Sequence, residues 1–205
     1  LELEAVAKGE ADIVIGTQLV AKGHNFPNMT LVGVVDADLG LANGDPRAAE
    51  RTFQLLSQVT GRAGRTGKKS HGLLQTWQPD HPVMQAIVAG GTETFYAREI
   101  AERERAGLPP FGRLAGVIVS ADTRGEAEAH ARALRRAAPP AADIFVLGPA
   151  EAPLALVAGR HRFRLLAQGE RRADMQAFVR AMLAAAPKPR GSVRVQVDID
   201  PQSFL

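Results

Sequence analysis

The sequence predicts a mixed α/β chain in two parts, a parallel α/β sheet followed by an α+β domain. Between residues 11 and 77, short apolar runs alternate with a helical stretch, as they do in parallel sheets. Pro109-Pro110 then ends a charged helical stretch, because a residue before proline is pushed out of the helix. Beyond it, strand and helix patterns follow in the order β-α-β-β-α-β. We therefore predict an α/β part over residues 1–80, a helical connector over 81–110 and a domain over 111–205.

The first part contains three apolar runs of the kind that form strands buried on both faces, at Asp12 to Gly16, Leu31 to Val35 and Leu73 to Thr76. Between the last two, Pro46 to Val59 has helical spacing, with Asp45 as the predicted cap. Trp77 closes the third strand. We predict that its indole packs inside the protein rather than stacking on a base, because no basic or aromatic neighbours accompany it.

The last part has strand patterns and helical patterns of similar length. The strands are predicted at 114–120, 144–147, 162–166 and 193–199, and the helices at 124–137 and 171–186. This order is that of the split βαβ, ferredoxin-like arrangement. That arrangement hosts many functions, so it selects none by itself.

The composition of the chain limits the functional classes to which it can belong. Of the 205 residues, 45% are hydrophobic, which is ample for buried cores. Up to Arg105 there are 11 Lys and Arg against 13 Asp and Glu, and beyond it 14 against 9, so the second half favours a polyanion or an acidic partner. The absence of cysteine excludes disulfides and thiolate zinc sites within the chain. No apolar run is long enough to span a membrane and no signal peptide is visible, so we expect a cytoplasmic location.

The most informative motif runs from Gln58 to Arg65 and reads Gln-Val-Thr-Gly-Arg-Ala-Gly-Arg. Two arginines stand three residues apart, each preceded by a glycine that lets the backbone approach a ligand. Guanidinium groups form paired, charge-assisted hydrogen bonds with phosphate oxygens and neutralise charge that develops in phosphoryl transfer. The motif therefore predicts one half of an ATP site.

The other half of such a site is missing from the sequence. A self-sufficient ATPase of this kind needs a G-x-x-x-x-G-K-[ST] loop to cradle the phosphates, and no such run occurs. No pair of acidic residues is clearly set up to hold magnesium, and the chain begins at Leu1 without methionine. We expect a C-terminal fragment of a longer ATP-driven enzyme, inactive by itself and binding no cofactor alone.

Further motifs occur in a fixed order around this run. They are Ile15 to Pro27, Val35 to Asp38, Asp45 to Arg51 and Val197 to Pro201. Together with Gln58 to Arg65, they resemble the C-terminal part of the primosomal replication-restart helicases (PriA, primosomal protein N′) from about residue 11 to the end. The resemblance implies part of the second RecA-like lobe of an ATP-dependent helicase, which moves 3′ to 5′ on DNA, restarts stalled forks and initiates primosome assembly.

The resemblance also implies roles for single residues. Gln58, Arg62 and Arg65 match the motif that reaches the γ-phosphate of ATP, with Gly61 and Gly64 beside them. Gly23 and Asn25 fall on the nucleotide side, and Thr17 touches the DNA backbone. Apart from the resemblance, the charge of Lys22 suits a nonspecific phosphate contact. ATP with magnesium belongs to the intact enzyme. The zinc-binding cysteines of the family lie upstream, so we expect no zinc here.

Two basic groups in the last part predict binding surfaces. Arg160, Arg162 and Arg164 alternate along one strand and so share a face, which fits either contact with the DNA backbone or an ordinary solvated face. Arg172 and Gln176 are predicted one helical turn apart beside Met175. Because the family binds the acidic tail of single-stranded-DNA-binding protein, these two are candidates for that contact. Single-stranded and forked DNA and other primosome proteins are further expected partners, and a membrane is not.

Alternatives remain open at this point. The chain could be a non-catalytic adaptor that binds nucleic acid or protein, or a piece of another superfamily 2 helicase. Asp36, Asp38 and Asp45 cluster near one strand end, where turn and cap roles are commoner than metal binding. Asp198 and Asp200 are predicted to be exposed or to make a turn, and the five histidines lack ligand spacing. No metal site is predicted.

Overall fold

A computed structural model of the chain describes residues 10–17, 30–41, 45–61 and 71–202. The chain divides into two compact units, residues 1–96 and 97–205. The helices and strands of the described ranges are, in chain order, β1 Leu31–Val34, α1 Ala48–Thr60, β2 His71–Leu74, α2 Pro82–Ala89, α3 Thr92–Arg105, β3 Gly112–Ala121, α4 Arg124–Ala137, β4 Ile144–Val157, β5 Arg160–Glu170, α5 Met175–Ala185 and β6 Arg194–Ile199.

The first unit is built on two parallel strands. β1 pairs with β2 from Leu31 opposite His71 to Val34 opposite Leu74. A small core of α1, α2 and the start of α3 contains Phe53, whose ring stacks on that of Phe95 with centroids 4.1 Å apart. The stretch predicted to be helical after residue 81 forms two helices, separated at Gly90, which adopts the left-handed conformation that suits glycine.

The strand predicted over residues 12–16 is wrong. These residues have no regular structure, and Ile15 is 93% exposed. A strand forms only where a neighbouring backbone pairs with it, and none of the strands in the described ranges pairs with this segment. The apolar run thus indicated a preference for burial, not a strand.

The helix predicted from Pro46 is confirmed with a later start, and the assignment of Asp45 as its cap is wrong. The helix begins at Ala48 after Arg47. Asp45 instead forms the turn before it, accepting a hydrogen bond from the Arg47 backbone N–H at 2.8 Å and pairing with Arg51 at 2.9 Å. The carboxylate is nearly buried by these two contacts.

The second unit has one antiparallel sheet in the order β4-β5-β3-β6, and the predicted element order β-α-β-β-α-β is confirmed. Its core lies between one face of the sheet and the helices α4 and α5. Phe163 and Leu165 of β5 meet Leu134 of α4 and Met182 of α5 there. The opposite face of the sheet, which these two helices leave uncovered, we call the open face.

Local capping explains where the two helices begin. Thr123 accepts from the Glu126 backbone N–H at the start of α4, so the predicted bounds 124–137 are confirmed. Helix α5 begins at Met175, four residues later than predicted, because Asp174 accepts from the Ala177 N–H at 2.9 Å and acts as its cap. Arg172 therefore lies before the helix.

Strand β4 forms one edge of the sheet and is irregular. Its register against β5 shifts between Leu147 and Ala150 and again between Glu151 and Leu156. Gly148 has a positive φ of 94°, and a Cβ there would lie 2.7 Å from the Arg164 carbonyl oxygen, so only glycine fits. These bulges keep the ladder of β4 discontinuous.

Candidate nucleotide and nucleic-acid surfaces

The carboxyl ends of β1 and β2 meet at one rim of the parallel sheet, where ligands of such sheets gather. Asp38, only 7% exposed, lies just beyond β1. Its carboxylate accepts from the Thr76 hydroxyl and from the Trp77 backbone N–H, both at 2.6 Å. The backbones also join, since the Ala37 N–H donates to the Gln75 oxygen at 2.9 Å. These contacts, which we call the Asp38 latch, fix the two loops of the rim to each other.

The three aspartates near this rim have different surroundings. Asp38 is engaged with Thr76 and Trp77, and Asp45 with Arg47 and Arg51. Asp36 is exposed, with a φ of 53° in the left-handed region that aspartate tolerates. Over the part of the chain that the structure describes, no cluster of three His, Asp or Glu side chains is placed to hold a metal ion.

Trp77 does not pack, so that prediction is wrong. The residue is 90% exposed beside the latch. The β2 strand ends at Leu74, three residues earlier, and the bond from the Trp77 N–H to Asp38 holds its backbone in the rim loop. The strand was predicted to end at Thr76, two residues beyond its observed end, and this placed Trp77 next to the sheet.

Only part of the phosphate motif falls within the described residues. Gln58 is exposed on the last turn of α1, and Gly61 follows that helix, its N–H donating to the Ser57 oxygen at 3.0 Å. A Cβ at Gly61 would lie 2.9 Å from that oxygen. Thr17 is exposed in the irregular segment that contains residues 12–16. The other predicted residues of this group lie outside the described ranges: Lys22, Gly23, Asn25, Arg62, Gly64 and Arg65.

The three arginines predicted to share a face are all on β5, and Phe163 and Leu165 between them point to the core. By alternation, the arginines belong to the open face. Each is half-buried. The structure thus confirms that the three arginines share a face of the sheet. The surroundings of their side chains differ.

Arg160 is held within the unit. Its guanidinium donates to the Asp122 carboxylate at 2.7 Å, to the Ser120 backbone oxygen at 3.1 Å and to the Ser192 backbone oxygen. It therefore ties β3 and β5 to the segment before β6. A phosphate contact by Arg160 would have to share or displace these bonds.

Arg162 belongs to a row of residues that crosses three strands of the sheet, and the sequence alone did not indicate this row. The register places it opposite Ser120 of β3, and Ser120 opposite Arg194 of β6. Within the described ranges, neither arginine has a carboxylate partner; Arg194 donates only to the Gly191 and Val193 oxygens, at 3.2 and 2.9 Å. Two cations therefore flank a hydroxyl on the open face.

An apolar area adjoins this basic row. Phe145 and Leu147 of β4 are 52% and 50% exposed. Leu147 lies opposite Leu166 of β5, and the next open-face residue along β5 is Arg164. Phe145 was not singled out in the sequence, because only the pairing of β4 with β5 places it beside the arginines.

The outer surface of α4 carries its own charges. A hydrogen bond from Arg132, at 2.7 Å, lowers the pKa of Glu128. A hydrogen bond to Glu151, at 2.8 Å, raises the pKa of Arg124. Burial lowers the pKa of His130. Arg132 and Glu128 pair along α4, and Arg124 joins the helix to Glu151 of β4.

The predicted tail-binding pair is exposed but not arranged as expected. Because α5 begins at Met175, Arg172 and Gln176 do not share a helical face. Met175, expected to supply apolar surface, is completely buried in the core. Both polar side chains nevertheless lie near the first turn of α5.

Comparison with known proteins shows which family the chain resembles. The model of the primosomal protein N C-terminal domain matches residues 104–202. The replication restart protein PriA of Rickettsia felis is 43% identical over 195 residues, which are 95% of this chain and 30% of the relative. The PriA proteins of Bacillus subtilis and Haemophilus influenzae are each 38% identical, over 99% and 98% of this chain and 26% and 28% of their own lengths.

These matches agree with the order of motifs from Ile15 to Pro201. The chain spans less than a third of the length of these relatives. Over the described ranges, no helix combines the length and the apolar character needed to cross a membrane. By sequence and by its matched domain, the chain belongs to the family of the replication restart protein PriA.

Proposed function

We propose that the chain is part of an ATP-dependent DNA helicase that moves 3′ to 5′, restarts stalled replication forks and initiates primosome assembly in the cytoplasm. The observation that carries this proposal is the Gln58 to Arg65 run in a chain of the PriA family. In the intact enzyme, Arg62 and Arg65 stabilise the transferring phosphoryl group of ATP, and Gln58 helps to position them. Magnesium would accompany the ATP, and zinc would be held upstream of this chain.

The architecture supports a motor lobe followed by a binding domain. The parallel pair β1 and β2 with α1 suits a partial RecA-like lobe over residues 1–80. The sheet order β4-β5-β3-β6 with both helices on one face suits a ferredoxin-like domain over 111–205, and 81–110 connects the two parts. Gly23, Asn25, Gly61 and Gly64 would line the nucleotide.

DNA would be contacted in two places. Thr17 and Lys22 would touch the backbone beside the motor lobe. On the second part, Arg162, together with Arg160 and Arg164, would neutralise phosphates of a single or forked strand, and Arg194 joins them from β6. Arg162, which has no carboxylate partner within the described ranges, is the strongest of these candidates.

An acidic protein tail is the partner proposed for Arg172 and Gln176. Arg171 and Arg172, both exposed, precede α5 and place two positive charges there. A tail that ends in a carboxylate, as the single-stranded-DNA-binding protein supplies, complements these charges. Other primosome proteins would bind the assembled enzyme.

Arg172→Glu should weaken binding of such a tail, because it replaces an attracting charge by a repelling one at an exposed position. We expect a loss of about tenfold, the size of a 1–2 kcal/mol charge effect. Fluorescence anisotropy with a labelled acidic peptide measures it. Arg180→Glu, exposed further along α5, is the matched control. Unchanged peptide affinity in Arg172→Glu would remove this assignment.

The chain alone should hydrolyse no ATP above the buffer rate, with or without single-stranded DNA. Charge stabilisation by arginines accelerates nothing when the phosphate cradle is absent. The longer protein that carries this chain should hydrolyse ATP in the presence of DNA. A coupled phosphate-release assay compares the two. A non-catalytic adaptor would instead leave both inactive, and turnover by the chain alone that is lost in Arg65→Ala would also contradict the proposal.

A further inference from the structure

The open face combines two kinds of surface in one strip. Along β5, the open-face residues run from Leu166 through Arg164 to Arg162, and Arg162 continues across the sheet to Ser120 and Arg194. Phe145 and Leu147 extend the apolar end of this strip onto β4. A single strand of DNA has the same composition, since its bases have apolar faces and its phosphates are anionic.

From this arrangement we infer that Phe145 is a stacking platform for an unpaired base of single-stranded DNA whose phosphates bind the Arg162 row. The inference rests on the proposed DNA binding and names the residue that contacts the base. Phe145 lies opposite Gln168, six residues along β5 from Arg162, which is about 20 Å at the rise of a strand. A strand of several nucleotides spans this distance.

The surroundings of Phe145 fit a flat ligand. Leu147 follows it two positions later on the same face, opposite Leu166, so the three residues share one apolar part of the open face, which we call the apolar floor. At one end, the Gln168 side chain donates to the Ala106 oxygen at 2.6 Å, which closes the floor on that side. The floor is thus open toward the arginines, the direction from which an anionic strand would come.

The edge of β4 argues against a protein strand as the occupant. Strand addition needs an uninterrupted row of backbone donors and acceptors. β4 lacks this row, because its register shifts twice and Pro149 and Pro153 have no N–H to donate. The β4 edge is therefore a poor site for strand addition, and the open face is the surface that remains beside Phe145. Arg162 and Arg194, which have no carboxylate partner among the described residues, favour an anionic ligand on this face.

Phe145→Ala in the full chain tests the inference with two oligonucleotides, oligothymidylate of 20 nucleotides and an abasic deoxyribose-phosphate strand of equal length. Loss of stacking should weaken oligothymidylate binding by about 5- to 150-fold. Binding of the abasic strand should not change. Phe145→Trp should retain the affinity for oligothymidylate. Leu183→Ala, a truncation of an exposed apolar residue on α5, is the matched control and should alter neither.

Arg162→Ala should weaken both oligonucleotides equally, because the phosphate contact does not depend on the base. If it does so while Phe145→Ala leaves oligothymidylate affinity within about twofold, the stacking inference is overturned and the proposed DNA contact stands. Equal weakening of both strands by Phe145→Ala also overturns stacking. Failure of the unsubstituted chain to bind either strand overturns both the inference and the proposed DNA contact.

Discussion

Replacing Arg65 by alanine in the longer protein that carries this chain should abolish ATP-driven unwinding and lower ATP hydrolysis by about 10³- to 10⁵-fold. The reason is that a guanidinium at the γ-phosphate binds the charge that builds up as the phosphoryl group transfers, and alanine leaves that charge unpaired. Rates of phosphate release and of strand separation, measured on a forked substrate with excess ATP, check the expectation.

Controls separate this role from a general loss of charge. Arg65→Lys keeps the charge but not the planar fork, so it should restore little activity. Lys68→Ala and Lys69→Ala remove cations just beyond the motif and should leave hydrolysis nearly unchanged. DNA affinity without nucleotide should be the same in all four variants. If Arg65→Ala retains hydrolysis, the phosphate role of this arginine is wrong.

Asp38→Ala should lower the free energy of unfolding of the first unit by about 2–4 kcal/mol. The substitution removes two short bonds from a carboxylate that is almost buried, and it leaves the Thr76 hydroxyl and the Trp77 N–H without their acceptor. Urea denaturation measures the change. Trp77 is the only tryptophan of the chain and is next to the latch, so its fluorescence reports this unit.

Asp36→Asn provides the matched control for the latch. Asp36 is exposed two residues earlier, and asparagine tolerates its positive φ, so stability should change by less than about 0.5 kcal/mol. The free energy of unfolding of Asp38→Asn should lie between those of Asp38→Ala and Asp36→Asn, since an amide keeps one acceptor oxygen. An Asp38→Ala variant with the urea midpoint of the unsubstituted chain would show that the latch does not stabilise the rim.

The sequence predicted elements best where the signal is local. Helix α4 matches its predicted bounds because Thr123 caps it through a contact three residues away. Strand and helix order in the second unit follows from periodicity in the same way. The segment at residues 12–16 shows the limit, because an apolar run carries no information about which backbone pairs with it. The start of α5 was predicted four residues too early, although its cap, Asp174, also acts through a local contact with the Ala177 N–H.

The candidate surfaces depend on pairing across the sheet, which explains what the sequence did and did not reveal. The shared face of Arg160, Arg162 and Arg164 needs only alternation along one strand, and it was predicted. Arg194 and Phe145 are 32 and 17 residues from Arg162 in the chain, and only the register of β6 and β4 brings them to the same face. The anchoring of Arg160 by Ser120, Asp122 and Ser192 is likewise a product of the register.

The extra residue in β4 has a consequence for how the chain tolerates deletions. Three steps along β4, from Leu147 to Ala150, face two along β5, from Leu166 to Arg164, so one residue of β4 is surplus there. Deleting Gly148 or Pro149 would remove this surplus residue and straighten that part of the edge strand. A straight edge strand can pair with the same edge strand of another molecule. A one-residue deletion would thus remove one of the two interruptions of β4 and leave the shift between Glu151 and Leu156, with Pro153, as the remaining obstacle to pairing between molecules.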